Sequence, residues 1–273
     1  MSQPGWPASL LLIGCGNMGG AMLSGWLRAG MEPSGFAIVD PVLPEAPSGV
    51  MLVRDGSELA GRTFDAGLLG IKPQMLGDVA PSLQGLVGAG TVLLSILAGV
   101  ELDTLARTFP SVSGIVRIMP NLAAAIGKSP IALAAHGLDD LRRADVTALM
   151  EPLGTPEWLA DEVQFHAVTA LAGSGPAFVY RFIDALTVGA RELGMERAQA
   201  ERLALAMVEG AALLAATSAD APGELARKVA SPGGTTQAGI DVLDADAALA
   251  RLVAATLKAA AVRSAEMAEA ARG

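Results

Sequence analysis

Short apolar runs recur through the first part of the chain, each bounded by glycine, proline or polar residues. They are SLLLIG at 9–14, GFAIVD at 35–40, GVMLV at 49–53, AGLLGI at 66–71 and TVLLSI at 91–96. Runs of this kind between turn formers read as buried strands. Two more follow, SGIVRIMP at 113–120 and SPIALAAH at 129–136. Helical spacing fits between them, from about Asn17 to Ala29 and over 74–86 and 101–108. Continuous apolar strands alternating with helices predict a parallel sheet covered on both faces.

From about Ala160 the period lengthens to that of a helix. Residues 161–194 and 196–218 form two long helical stretches, PGELARKVA opens with Pro at a helix start, and a last helix is expected from about Asp246 to Ala270. No strand signal interrupts them. The pattern therefore divides into an α/β domain over 1–160 and an all-α domain over 161–273. The helical part carries more apolar surface than one small bundle can bury. A homodimer through these helices, or a larger assembly of dimers, is the expected state.

Composition narrows the picture. The chain is 52% hydrophobic and only 17% charged, which suits a core-rich folded protein and not a disordered one. The net charge is −9 and no basic stripe is present, which argues against nucleic acid as a partner. Cys15 is the single cysteine, so no intramolecular disulfide can form and a reducing, cytoplasmic setting is expected. With His136 and His166 as the only histidines, no metal cluster is expected. The N-terminus lacks the basic region of a signal peptide. The uncharged stretch Val79–Val100 is long enough to span a bilayer, but Pro81, Gly85, Gly88 and Gly90 make it read as helix, turn and strand. No membrane partner is expected.

GCGNMG at 14–19 follows the first strand and opens the first helix. In such a loop Gly14 makes the tight turn, Gly16 lets the backbone approach a pyrophosphate, and Gly19 lets helix and strand pack closely. Phosphates then sit at the helix N-terminus, where free N–H groups and the dipole favour negative charge. The strand–turn–helix context and Asp40, at the end of the next strand, give the motif its weight; alone it is weak. Asp40 points to a ribose 2′-hydroxyl and hence to NADH, with Arg54 the nearest basic residue for a 2′-phosphate; its plainer alternative is a turn cap before Pro41. GIKP at 70–73, SILAGV at 95–100 and RIMPN at 117–121 fall at carboxyl ends of strands, where open α/β sheets bind ligands. Lys72 reads more simply as a surface lysine than as a catalytic one.

The sequence offers no strong general acid. His166 reads as a packing residue, His136 as exposed and Tyr180 as core. A substrate that arrives protonated would need less acid assistance. SPGGTT at 231–236 makes a backbone nest with a helix directly after it, which suits a small carboxylate; an interhelical turn with Thr as N-cap is the rival reading. GSGPA at 173–177 marks a close helix contact or a kink in the helical pattern, and close packing at a dimer or domain interface is favoured.

IGCGNMG, Lys72-Pro73, S-x-x-AGV at 95–100, R-x-MPN at 117–121, AVTALAGSGPAF at 167–178 and SPGGTT occur together in one order and spacing. In these the chain resembles the pyrroline-5-carboxylate reductases over nearly its whole length. The resemblance implies an N-terminal Rossmann-type α/β domain and an all-α C-terminal domain for substrate binding and dimerisation. It implies reduction of 1-pyrroline-5-carboxylate to L-proline by NAD(P)H, the last step of proline biosynthesis. Carried over by position, it places the dinucleotide on Gly14, Gly16, Asn17, Met18 and Gly19 and on Ile71, Lys72, Pro73, Ala98 and Gly99, with Asn121 beside the nicotinamide. It places the substrate on Ser231, Gly233, Gly234, Thr235 and Thr236, with Thr236 as the catalytic residue beside the ring nitrogen. Glu162 matches an acidic substrate-side position. Asp40 followed by Pro41 departs from relatives that carry a small polar or basic residue there, and leans toward NADH.

Overall fold

In the computed structural model, which describes residues 6–270, β1 (Leu10–Ile13) and α1 (Asn17–Arg28) lead into β2 (Phe36–Val39), β3 (Met51–Val53) and β4 (Ala66–Leu69). Then come α2 (Leu76–Leu83), β5 (Val92–Ser95), α3 (Leu102–Thr108), β6 (Gly114–Met119), β7 (Ser129–His136), α4 (Asp140–Met150) and β8 (Gly154–Trp158). The eight strands form one sheet in the order β3-β2-β1-β4-β5-β6-β7-β8. The first six run parallel. This is the Rossmann-type α/β arrangement, whose ligands sit at the carboxyl ends of the strands.

Both faces of the sheet are covered, as the unbroken apolar strands require. Leu10 and Leu12 of β1 join one core with Met22 and Trp26 of α1 and Leu149 of α4, and the Trp26 indole donates to the Leu149 carbonyl at 2.8 Å. Leu11 and Ile13 point the other way, into a core with Leu76 of α2, Leu105 of α3 and Phe165. The stretch Val79–Val100 resolves into the end of α2, a turn and β5. Among the described residues no helix is long and apolar enough to cross a membrane.

Two features depart from the expected parallel sheet. β7 is antiparallel to β6, because the short connection between them holds only a 3-10 turn and no crossover helix. β8 pairs parallel with β7 at the sheet edge. Its sequence GTPEW contains Pro156, which an edge strand tolerates and which hides the strand from a pattern of alternating apolar residues.

The remaining helices are α5 (Phe165–Val168), α6 (Gly175–Glu192), α7 (Arg197–Thr217), α8 (Pro222–Val229), α9 (Thr235–Asp244) and α10 (Ala248–Ala270). The long helical stretch expected over 161–194 is interrupted. A π-helical turn, Thr169–Gly173, separates α5 from α6, and Pro176 stands at the start of α6. Asp246 and Ala247 adopt left-handed backbone (φ 50° and 54°) and divide α9 from α10.

By packing, the described residues form two units: 6–173 together with 260–270, and 174–259. The expected division at 160/161 lies inside the first unit, since Phe165 and Ala170 are buried with it. Within the second unit α6 packs on α7, and only Ala200, Ala204 and Thr187 of its residues are buried. Tyr180, expected in the core, is 67% exposed on α6, and Phe182 on the same helix and Leu203, Leu213 and Leu214 on α7 are exposed as well. A single copy of this unit has no apolar core of its own for them to join.

Candidate active site

The dinucleotide motif has the geometry its glycines predict. Gly14 has φ +82°, and a Cβ there would lie 3.0 Å from the Gly70 carbonyl and 3.0 Å from Ile71 Cγ2. A Cβ on Gly19 would lie 3.0 Å from the Gly14 carbonyl. These two glycines let the loop and helix lie against β1 and β4. Gly16 differs: it is exposed, and a Cβ would meet nothing within 4 Å. It is the N-cap of α1, with no side chain satisfying the helix N-terminus. The first-turn N–H groups are therefore open to an anion, beside exposed Asn17 and half-buried Met18. That cradle fits the pyrophosphate of a dinucleotide.

Asp40 closes one side of the cradle and is only 6% exposed. Its Oδ2 accepts the Cys15 N–H at 2.9 Å, and its Oδ1 accepts the N–H groups of Val42 and Leu43, each at 2.9 Å. It thus caps the turn at Pro41 and braces the glycine loop at once. Burial alone would raise its pKa, but these three N–H groups and the Arg54 charge outweigh burial and hold the carboxyl below its ordinary value. Asp40 is a fixed negative charge. Arg54 donates to the carbonyls of Asp40, Leu43 and Pro44, so its guanidinium is spent on the loop. Burial, then the Asp40 charge, push the Cys15 thiol up to about 11.

The two further loops lie at the ends of β4 and β5. Lys72 is exposed, Ile71 and Pro73 are half-buried, and Ala98 is exposed beside half-buried Gly99. A cleft of about 320 Å³ is lined by Pro73, Gln74, Leu76, Gly77, Gly99, Val100, Thr104 and Thr108. Asn121 is 6% exposed, and both ends of its amide are engaged: Oδ1 accepts from Ala123 N–H and Nδ2 donates to the Ala172 carbonyl, both at 2.9 Å. Asn121 thereby ties the end of β6 to the π-helical turn. Gly173 of that turn lies near the Met119 sulfur, while nothing stands within 4 Å of a Cβ on Gly175. The favoured close packing at Gly175 is not made within the chain.

Glu162 and Arg117 form a pair that sequence reasoning did not see. Arg117 Nη1 lies 2.5 Å from Glu162 Oε1, which also accepts the Leu102 N–H at 2.9 Å. The two residues stand 45 positions apart, and no local motif joins them. His166 is half-buried with its Nδ1 3.1 Å from Ser264 Oγ, and His136 is exposed.

In the second unit, the loop SPGGTT turns through Gly233 (φ +72°), and the Gly234 N–H donates to the Ser231 carbonyl at 2.9 Å. Gly234, not a threonine, is the N-cap of α9, and no side chain caps it. Thr235 and Thr236 are the first two residues of that ten-residue helix and are exposed. The rival reading, a turn closed by a Thr cap, is thus not what the loop adopts. Its open N–H groups suit a small anion.

Residues 162–267 match a family model described as pyrroline-5-carboxylate reductase dimerisation. The chain is 33% identical to a pyrroline-5-carboxylate reductase of Pseudomonas aeruginosa, over 95% of this chain and 97% of that one. The solved structure of a pyrroline-5-carboxylate reductase from Coxiella burnetii superposes with a TM-score of 0.87 at 28% identity, over 95% and 98% of the two chains. The Plasmodium falciparum pyrroline carboxylate reductase, solved with NADP bound, shares the fold: TM-score 0.82 at 24% identity, over 96% and 98%.

Proposed function

The chain belongs to the pyrroline-5-carboxylate reductase family, and from that membership we propose how its residues divide the reduction of 1-pyrroline-5-carboxylate to L-proline. It is an NAD(P)H-dependent oxidoreductase of proline biosynthesis. The bound nicotinamide supplies the hydride. The observation that carries the assignment is the exposed, uncapped Gly16 turn at the end of β1, which leaves open N–H groups where a pyrophosphate binds. Gly14, Gly16, Asn17, Met18 and Gly19 hold the dinucleotide, with Ile71, Lys72, Pro73, Ala98 and Gly99 along its length. Asn121 shapes the nicotinamide end by fixing the turn at Ala172.

The substrate carboxylate sits on the open amides of the 231–236 loop, with Ser231, Gly233, Gly234 and Thr235 forming the seat. Thr236 faces the ring nitrogen and orients the ring. An iminium carbon is already electrophilic, so holding donor and acceptor together supplies most of the catalysis. This accounts for a site without a strong acid. Glu162, whose carboxylate is held by Arg117 and Leu102, is given no substrate contact.

Thr236→Ala removes a hydroxyl that makes no helix cap. It should lower kcat/KM for pyrroline-5-carboxylate by about tenfold to a hundredfold, the scale of one to two lost hydrogen bonds. Cofactor affinity and melting temperature should stay at wild-type values. An unchanged kcat/KM removes Thr236 from the site.

The fixed charge of Asp40, with Arg54 spent on carbonyls, favours a free ribose 2′-hydroxyl over a 2′-phosphate. Steady-state rates with both cofactors and several cyclic imines test the whole reading. NADH should give the higher kcat/KM, by about tenfold or more. A preference for NADPH refutes the role given to Asp40, and no turnover of pyrroline-5-carboxylate refutes the reaction.

The chain is an oligomer-forming one, and the exposed apolar residues of α6 and α7 support a homodimer through the helical unit. A monomer in sedimentation at micromolar concentration would refute that assembly.

A further inference from the structure

The Arg117–Glu162 pair takes no part in the reaction as written above, yet it is more than a neutralised buried charge. Arg117 is 5% exposed on β6, beside Ser95 in the sheet register, and its guanidinium lies over the Phe165 ring, 4.3 Å from the centroid. Glu162 Oε1 meets that guanidinium and the N–H of Leu102, the first residue of α3, at the same time. One oxygen thus joins β6, α3 and the turn before α5. Leu102 closes the loop that Ser95 begins. At the start of the loop the Ser95 hydroxyl accepts the Leu97 N–H at 3.3 Å. At its turn Gly99 has φ +77°, and the backbone of Ala268 on α10 comes so close that a Cβ on Gly99 would lie 3.1 Å from it. The loop is hydrogen-bonded at its start and end and lies close against α10 at its turn, while Ala98 between these points stays exposed.

We propose that Glu162 and Arg117 are positioning residues for the cofactor: the pair holds the loop 97–101 in the form that receives the dinucleotide, and Glu162 touches no substrate. This rests on the assignment of Ala98 and Gly99 to the dinucleotide. A preset loop spares binding the cost of ordering it, so loosening its end shows first as lost cofactor affinity.

Glu162→Ala should raise the dissociation constant of the reduced dinucleotide about tenfold, the scale of the charged hydrogen bond to the Leu102 N–H that fixes the loop end. The KM for pyrroline-5-carboxylate, at saturating cofactor, should change by less than about twofold. Amide hydrogen exchange at 97–102 should quicken. Glu162→Gln keeps an acceptor for Leu102 while leaving Arg117 without its counter-charge, so it should recover part of the loss. A raised substrate KM with unchanged cofactor affinity makes Glu162 a substrate contact and overturns the proposal. A lowered Tm with both affinities and loop exchange unchanged makes the pair merely structural and overturns it too. Faster exchange at 97–102 with unaltered cofactor affinity instead overturns the assignment of this loop to the dinucleotide, and the proposal with it. If Glu162→Ala does not fold, Glu162→Gln decides: a smaller rise in the dissociation constant upholds the proposal and no rise overturns it.

Discussion

Gly16→Val is expected to weaken dinucleotide binding by more than about a hundredfold in a protein that melts within about 4 °C of the wild type. The two halves of that result come from one fact. Gly16 sits at φ −70° and ψ −163°, extended backbone open to any residue, and a Cβ there meets nothing within 4 Å. Beyond the modest N-cap preference for glycine over valine, the chain has no steric reason for glycine at this position. A branched side chain fills the space proposed above for the pyrophosphate at the N-terminus of α1, where on that proposal only the ligand would meet it. Gly14 and Gly19 cannot give so clean a reading, because an added Cβ at either strikes backbone and damages fold and binding together. Fluorescence titration with NADH and NADPH, beside a thermal melt, checks the prediction. Wild-type affinity in the folded variant contradicts the placement of the pyrophosphate.

Gly154→Ala should be the most damaging single methyl in the sheet. Gly154 opens β8 with φ +153°, and a Cβ would lie 1.9 Å from the Ser129 carbonyl oxygen and 2.6 Å from the Ser129 nitrogen. All of these are backbone atoms of the paired strand, so no rotamer change relieves the clash. Ser129 also accepts the Asn121 N–H on its hydroxyl, so the strain reaches the loop after β6. A loss of about 4 kcal/mol is expected, in the range reserved for backbone clashes of this kind. For a chain of this size that lowers Tm by roughly 10 °C. A melt within about 2 °C of the wild type would mean that β7 and β8 separate at little cost.

Much of this molecule is legible in its sequence, and the parts that are not share a cause. Strands β1 to β7 and the glycine loop announce themselves locally, through apolar runs and glycines whose steric reason lies within a few residues. The direction of β7 does not, because hydrophobic period carries no sense of parallel or antiparallel. β8 does not, because an edge strand with Pro156 has no apolar signature. The break of the long helix into α5, a π-helical turn and α6 is marked only by glycines that also fit close packing. Tyr180 looked like core since aromatic residues usually are, but the helical unit buries almost nothing within one copy. At the site, SPGGTT and GCGNMG were found as local motifs. Asp40 is legible as a turn cap or a ribose contact; the cap on Val42 and Leu43 is what the fold shows, and its brace on the Cys15 N–H has no sequence signature. The Arg117–Glu162 contact has no sequence signature, since each residue belongs to its own local pattern and only folding brings positions 45 apart together.

The placement of Cys15 has a practical consequence. Its side chain is covered at the floor of the glycine loop, and its thiol gives up a proton only near pH 11. Alkylating reagents and peroxide act on the thiolate, so at neutral pH this sulfur is all but silent. The wild-type chain can therefore serve directly as a background for spectroscopic labelling. A cysteine introduced at exposed Ala144 or Ala148 of α4 would take a maleimide dye alone, with no need to remove the native one.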